Sequence, residues 1–268
     1  MDSIYLLSIG SGSSGNCYYI GTKEWGVLVD LGVSYKNIQH ALRNVGFSEK
    51  NILAVFITHD HADHCRYAGS VEEKLLVPVY ATESTHRGME ERAKKVQQLT
   101  FPKHVLPIGD PISINGLSIE AFSVPHDGDG CVGYMLNYGE ECVVFTGDLG
   151  YISTDVEKNL LQANYLIMET DYDEGMLEIG PYPKLLQERI KSPQGHLCNR
   201  IVAEWISSHY TKRLKKVFLS HISANNNSLP LALESVKRAL IEKNIALGKD
   251  LEVYALQRTK HSELFELK

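Results

Sequence analysis

The 268-residue sequence has no apolar run long enough to cross a membrane as a helix. It begins Met1-Asp2-Ser3 and lacks the basic start and apolar core that a secretory signal requires. Its five cysteines are scattered, odd in number and without a Cys-x-x-Cys pair, which argues against a disulfide framework. These absences exclude an integral membrane protein and a disulfide-stapled secreted domain, and they predict a cytoplasmic protein.

Low-complexity linkers and short tandem repeats are also missing, so we expect residues 1–268 to form a single domain. With 43% hydrophobic residues, the chain can bury a sizeable core. The net charge of −6 is unevenly spread, because residues 181–220 carry eight basic and two acidic side chains. This basic segment either attracts the phosphates of a nucleic acid or is a solvated helix face, and charge alone favours the second interpretation.

Helices and strands are predicted in both halves of the chain. Residues 35–45 have helical spacing, with Ser34 as the N-cap and Gly46 as the stop. A further helix is predicted over 82–96, and residues 104–146 have the pattern of consecutive strands. Because the strands are mostly apolar, we expect an α+β fold in which two mixed sheets pack face to face, with helices outside.

The densest group of ionisable side chains is Thr-His-Asp-His-Ala-Asp-His at residues 58–64, directly after an apolar, strand-like run. Neutral imidazole suits zinc, iron and manganese, and a carboxylate suits the harder of these metals. Alternate residues of an extended loop point the same way. His59 and His61 would then hold one ion, while Asp63 and His64 turn toward a second. The alternative is a solvated polar loop.

Three more ligand-type residues, His126, Asp148 and His221, each stand where a predicted buried strand ends. Such positions collect functional side chains in mixed α/β folds. Two divalent ions about 3.5–4 Å apart can share a water and lower its pKa, so a bridging hydroxide would be the nucleophile of a hydrolase. The predicted ligands are His59, His61 and His126 for one ion, Asp63, His64 and His221 for the other, and Asp148 as the bridge.

The order of these seven ligands resembles the metallo-β-lactamase superfamily along nearly the whole chain. Shorter motifs further resemble its YycJ/WalJ-like subfamily, namely the glycine-serine loop 10–16, Gly195-His196-Leu197-Cys198-Asn199, and His221-Ile222-Ser223 followed by Asn226-Asn227. The resemblance implies an αββα sandwich with a two-metal site at one edge. It also implies a phosphodiesterase or nuclease, most similar to a 5′-to-3′ DNA exonuclease.

The resemblance implies roles for further residues. Asp30 would orient the histidine loop, Asp63 would be catalytic as well as a ligand, and His196 would donate a proton with support from Glu169. The residues alone leave His196 open, because its loop precedes a predicted helix N-terminus and suits either a proton donor or a surface histidine.

The sequence departs from the subfamily at two places. Glu169-Thr170-Asp171-Tyr172-Asp173 stands where the subfamily has Glu-x-Asn-His-Asp, which leaves the role of Tyr172 open. Cys198 replaces a serine, while His196 and Asn199 are retained.

We therefore expect a di-metal hydrolase that binds DNA through basic residues 181–220. The alternatives are a hydrolase of a small ester, lactone or thioester, and a metal-bound regulatory partner without turnover. The ligand types favour zinc, and manganese or iron are also compatible. The oligomeric state is not predicted.

Overall fold

The computed structural model describes residues 3–268, and two mixed β-sheets packed face to face form its centre. Helices pack on the outer face of each sheet, so the predicted α+β sandwich is confirmed. Within the described residues, no helix has both the length and the apolar character needed to span a bilayer.

The first sheet comes from the N-terminal half of the chain and from its last strand. Strands β1, β2 and β3 pair antiparallel, and β3, β4, β5 and β6 pair parallel, with β14 added antiparallel beside β1. The strands are β1 (Ile4–Gly10), β2 (Cys17–Gly21), β3 (Gly26–Val29), β4 (Ile52–Phe56), β5 (Val79–Ala81), β6 (His104–Val105) and β14 (Phe265–Leu267).

The second sheet begins as an antiparallel meander from β7 to β10 and continues in parallel from β10 to β13. Its parallel strands therefore end at one edge, which is where side chains that follow them meet. The strands are β7 (Ile112–Ile114), β8 (Leu117–Ser123), β9 (Val132–Tyr138), β10 (Glu141–Phe145), β11 (Tyr165–Glu169), β12 (Lys216–Ser220) and β13 (Glu252–Ala255).

Side-chain oxygens cap the helix starts, as predicted for Ser34. Ser34 accepts a hydrogen bond from the backbone N–H of Asn37, and Thr82 accepts one from Thr85. The helices are α1 (Tyr35–Asn44), α2 (Ala62–Cys65), α3 (Ala68–Leu75), α4 (Glu83–Glu91), α5 (Thr154–Leu160), α6 (Glu174–Ile179), α7 (Lys184–Lys191), α8 (Asn199–His209) and α9 (Leu229–Glu242).

The helix predicted over 82–96 is shorter than expected, since α4 ends at Glu91. Residues 92–96 form turns instead, in which the Lys95 N–H donates to the Arg92 carbonyl at 2.7 Å, three residues back. The backbone N–H of Gln97 then donates to the Arg66 carbonyl at 2.9 Å, which ties the chain to another loop just past the predicted end of the helix.

Both faces of the central strands are buried, because each sheet lies between the other sheet and a layer of helices. In β10, Val143 and Phe145 pack between the sheets, while Val144 packs on the helix side. Across the interface, the ring of Phe218 lies 4.9 Å from that of Phe265 in the other sheet. This packing holds the strand ends of both sheets in fixed relative positions.

Candidate metal centre

The histidine loop follows β4 and divides into two parts. His61 is the N-cap of α2, so Asp63 and His64 lie in a helical turn and not in the extended loop that was expected. The turn forms because the His61 carbonyl accepts hydrogen bonds from the N–H groups of His64 at 2.9 Å and Cys65 at 3.1 Å. His59 thus lies in the extended part of the loop, whereas Asp63 and His64 lie in its helical part. The two parts therefore direct their side chains to different positions.

Side chains of the second sheet reach the same place, and the carboxylate of Asp148 lies at its centre. Asp148 Oδ1 is 3.4 Å from Nε2 of His64. Its Oδ2 is 3.9 Å from Nε2 of His59, 3.8 Å from Nε2 of His126 and 3.6 Å from Nε2 of His221. Imidazoles from both sheets therefore surround one buried carboxylate.

The seven residues predicted as ligands form two adjoining groups. In each group the possible ligand atoms lie within 4.8 Å of one another. Asp148 belongs to the first group and is also within 3.6 Å of His64 and His221 in the second. The first group is His59, His61, His126 and Asp148, and the second is Asp63, His64 and His221.

Two of these histidines, His59 and His126, present a buried Nε2 atom that has no hydrogen-bond partner among residues 3–268. Their other ring nitrogens are engaged, His59 Nδ1 with Thr58 Oγ1 at 3.0 Å and His126 Nδ1 with the Gly195 carbonyl at 2.9 Å. Burial lowers the pKa of both imidazoles, which keeps them neutral. Neutral imidazoles aimed at a carboxylate fit a divalent cation.

Asp30 directly follows β3 and has a left-handed backbone, at φ 64°. Its carboxylate accepts hydrogen bonds from the N–H of Thr58 at 2.8 Å and from Nδ1 of His64 at 2.7 Å. Although burial lowers the pKa of His64, Asp148 and Asp30 together raise it well above its ordinary value. Asp30 thus lies where the expected orienting carboxylate should be, with His64 Nε2 directed at Asp148.

His221 also has a left-handed backbone, at φ 52°, which is uncommon for a residue with a side chain. Its backbone N–H donates to Ser11 Oγ in the glycine-serine loop at 2.9 Å. The same loop reaches α2 at Asn16, whose backbone N–H donates to the Asp63 carbonyl at 2.7 Å. The loop therefore holds the second group of ligands in place.

Glu169, the last residue of β11, supports His196. Its Oε1 lies 2.5 Å from His196 Nδ1, and its Oε2 accepts hydrogen bonds from the N–H groups of Leu149 at 2.8 Å and Leu197 at 3.2 Å. Burial opposes a charge on His196, but Glu169 raises its pKa to about 9. His196 Nδ1 is also 3.9 Å from Asp148 Oδ2, so a protonated imidazole borders the centre.

Two carboxylates at the centre were not assigned from the sequence. Asp127 Oδ1 is 3.0 Å from Nε2 of His61, and its Oδ2 accepts a hydrogen bond from Arg189 Nε at 2.8 Å. Asp171 Oδ1 is 3.7 Å from His221 Nδ1, and burial raises the pKa of this carboxyl to about 6. In the sequence, Asp127 was marked only by its place beside His126. Asp171 was marked only by its place two residues after Glu169.

The basic segment 181–220 divides between two ends of the molecule. Lys184 and Lys191 are exposed on α7, which leads into the loop of His196. The cluster 212–216 leads into β12 and ends at its first residue, Lys216. His221 follows the opposite end of the strand, about 16 Å from Lys216 at roughly 3.3 Å per residue. Two of its lysines pair with acidic groups, Lys215 with Glu141 and Lys216 with Glu252.

Comparison with known proteins agrees with this geometry. A model of the β-lactamase superfamily domain matches residues 27–222. The exodeoxyribonuclease YycJ of Bacillus anthracis is 31% identical over 251 residues, which cover 94% of each chain. The exodeoxyribonuclease WalJ of Streptococcus pneumoniae is 31% identical over 246 residues, which cover 92% of this chain and 91% of WalJ.

The fold also matches solved structures at low sequence identity. The metallo-β-lactamase fold protein YhfI of Bacillus subtilis superposes with a TM-score of 0.72 at 15% identity, covering 99% of this chain and 100% of YhfI. The short form of human tRNase Z superposes with a TM-score of 0.60 at 16% identity, covering 82% of this chain and 93% of that one.

The Glu169–His196 pair gives a prediction for metal-free protein. In Glu169→Gln, we expect the pKa of His196 to fall well below its value of about 9, because burial is then opposed only by more distant carboxylates. The pKa is measured by an NMR titration of the His196 imidazole. Its signal is assigned as the one that is missing from His196→Gln. Glu188→Gln, an exposed change on α7, is the control, and an unchanged pKa in Glu169→Gln would contradict the pairing.

Proposed function

The chain belongs to the metallo-β-lactamase superfamily, and we propose that it is a two-metal phosphodiesterase that degrades DNA as an exonuclease. The observation that carries the proposal is the convergence of four imidazoles from two sheets on the buried carboxylate of Asp148. Two relatives that align over more than 90% of this chain are exodeoxyribonucleases. We propose 5′-to-3′ degradation from the resemblance of the sequence motifs to the YycJ/WalJ-like subfamily.

We propose that two ions bind at this centre and that both are zinc, with manganese or iron as alternatives, because the ligand set is rich in imidazole. When bound, such ions activate a shared water and neutralise charge that develops on the phosphate. Asp148 would face both ions. The proposed ligands are His59, His61 and His126 for the first ion, and Asp63, His64 and His221 for the second.

His196 is the proposed proton donor. Its Nδ1 is held by Glu169, which leaves Nε2–H as the group that can protonate a leaving-group oxygen when the P–O bond breaks. A pKa of about 9 keeps the imidazole protonated at neutral pH. Asp63 combines the roles of ligand and catalytic residue, with Oδ2 3.4 Å from His221 Nε2 and 3.7 Å from His64 Nε2.

We propose that residues 1–268 act as one domain. The proposed ligands of each ion come from both sheets, so neither sheet alone supplies a complete set. A cytoplasmic location is proposed from the cysteines. All five are buried thiols, as expected in a reducing compartment.

We propose that the α7 half of the basic segment, with Lys184 and Lys191, contacts the DNA backbone. The 212–216 half lies at the wrong end of β12 for this role.

The proposed function is tested with metal-loaded protein and end-labelled DNA. We expect the DNA to be shortened from its 5′ end and chelation of the metal to stop the reaction. In Asp148→Ala, loss of the central carboxylate should lower kcat/KM by more than about 100-fold and reduce the bound metal, because this residue faces both ion positions.

Asp155→Ala, at an exposed position on α5, is the matched control and should behave as the wild type. A panel of lactones and small esters is run in parallel. If those compounds are hydrolysed while DNA stays intact, the proposed nuclease activity is wrong. If Asp148→Ala degrades DNA fully, the proposed role of the metal centre is wrong.

The DNA contact gives a prediction about salt dependence. Replacing Lys184 and Lys191 together with Ala should weaken binding and reduce the slope of log K against log salt by up to about 1.5, as expected for two lost phosphate contacts. The matched control is Lys212 and Arg213, both replaced with Ala at the distal end. A changed slope in the control pair and an unchanged one in the α7 pair would reverse the assignment.

A further inference from the structure

Arg189 lies on the last turn of α7, beside the metal centre, and Asp127 holds its guanidinium. Its Nε donates to Asp127 Oδ2 at 2.8 Å, and its Nη2 donates to the same oxygen. Within residues 3–268 its Nη1 makes no hydrogen bond, and the side chain is 58% exposed. One part of the charged fork is therefore fixed, while another remains accessible to a ligand.

Exposed ion pairs usually contribute little to stability, but the second oxygen of Asp127 sets this pair apart. Asp127 Oδ1 is buried and has no hydrogen-bond partner in the part of the chain that the structure describes. It lies 3.0 Å from His61 Nε2 and 3.3 Å from His126 Nε2, which are two proposed ligand atoms of the first ion. The carboxylate thus directs one oxygen to the first ion position and the other to Arg189.

Backbone hydrogen bonds fix this end of α7 against the same centre. The His196 N–H donates to the carbonyl of Ile190, the residue after Arg189, at 2.9 Å. The Gly195 carbonyl accepts a hydrogen bond from His126 Nδ1 at 2.9 Å. Arg189 and the proposed proton donor His196 therefore keep a fixed relative position, and both line one cleft beside the metal centre.

A guanidinium with an accessible arm at a metal centre has the chemistry to bind a phosphate. Arginine matches phosphate oxygens with paired N–H donors, and such charged hydrogen bonds are stronger than neutral ones. When the first ion is bound, the single negative charge of Asp127 lies between two cations, so it does not cancel the charge of Arg189.

We propose that Asp127 positions Arg189 to bind a non-bridging oxygen of the DNA phosphate next to the one that is cleaved. Arg189 would then hold the backbone while His196 acts at the scissile bond. The inference rests on the proposed nuclease function and adds to it a residue that binds the substrate and a residue that positions it.

The test is a binding scan with a labelled DNA duplex in which one phosphate at a time, near the 5′ end, is a neutral methylphosphonate. Binding is measured with metal-loaded His196→Gln, because loss of the proposed proton donor should leave the duplex uncut. At the phosphate that Arg189 binds, the neutral group should weaken binding by about 10- to 100-fold, the effect of losing a charged hydrogen bond.

Arg189→Gln, added to this background, should weaken binding of the unmodified duplex by a similar factor. The methylphosphonate at that one position should then have no further effect, because both changes remove the same contact. Arg189→Lys keeps the charge without the planar fork and should recover only part of the affinity. Asp127→Asn should make the effect of this methylphosphonate smaller without abolishing it, since the guanidinium is held less firmly.

The active enzyme gives an independent measurement. On the unmodified duplex, Arg189→Gln should raise KM more than it lowers kcat, because the contact is to a phosphate that is not cleaved. Arg43→Gln is the matched control. Arg43 is 61% exposed on the last turn of α1, lies outside the cleft and pairs with one carboxylate, that of Glu49 at 2.9 Å. Its replacement should leave KM and every position of the scan unchanged.

If every methylphosphonate has the same effect with and without Arg189→Gln, at unchanged metal content and melting temperature, the assignment of Arg189 is wrong. The nuclease would remain. If instead the metal-loaded wild type leaves the duplex intact, the proposed function itself is wrong.

Discussion

The structure depends on one buried charge, the carboxylate of Asp148. A carboxylate with 3% exposure is tolerated only when opposite charge surrounds it. Burial raises the pKa of this group, but the imidazoles of His221 and His64 more than offset the effect and hold it well below the ordinary value. Because those imidazoles come from different sheets, the charge at the centre and the packing of the sandwich depend on each other.

Different parts of the chain supply different side chains of the centre. The first sheet supplies the histidine loop and the carboxylate of Asp30, which fixes the ring of His64. The parallel strands of the second sheet end together and supply Asp148 and Glu169. The loop between α7 and α8 adds His196, whose Nδ1 lies 3.9 Å from Asp148 Oδ2. Strand ends fixed by the packing of the two sheets thus hold most of the reacting groups.

Much of this arrangement could be predicted from the sequence, because local signals and tertiary structure agree. The N-cap of α1 at Ser34 and the placing of His221 after a buried strand both depend on short-range patterns. The rest depends on tertiary partners that no local pattern records. The pairing of Asp127 with Arg189, for example, joins residues 62 positions apart. The basic residues 181–220 are continuous in the sequence, but in the structure one part lies on α7 and the other lies at the far end of β12.

Whether Asp148 joins two metal ions is measured most directly by anomalous diffraction from crystals of the metal-loaded protein, recorded on both sides of the absorption edge of the bound metal. We expect two peaks that Asp148 contacts jointly, one beside His59 and His126 and the other beside His64 and His221. A single peak, or peaks away from Asp148, would contradict it.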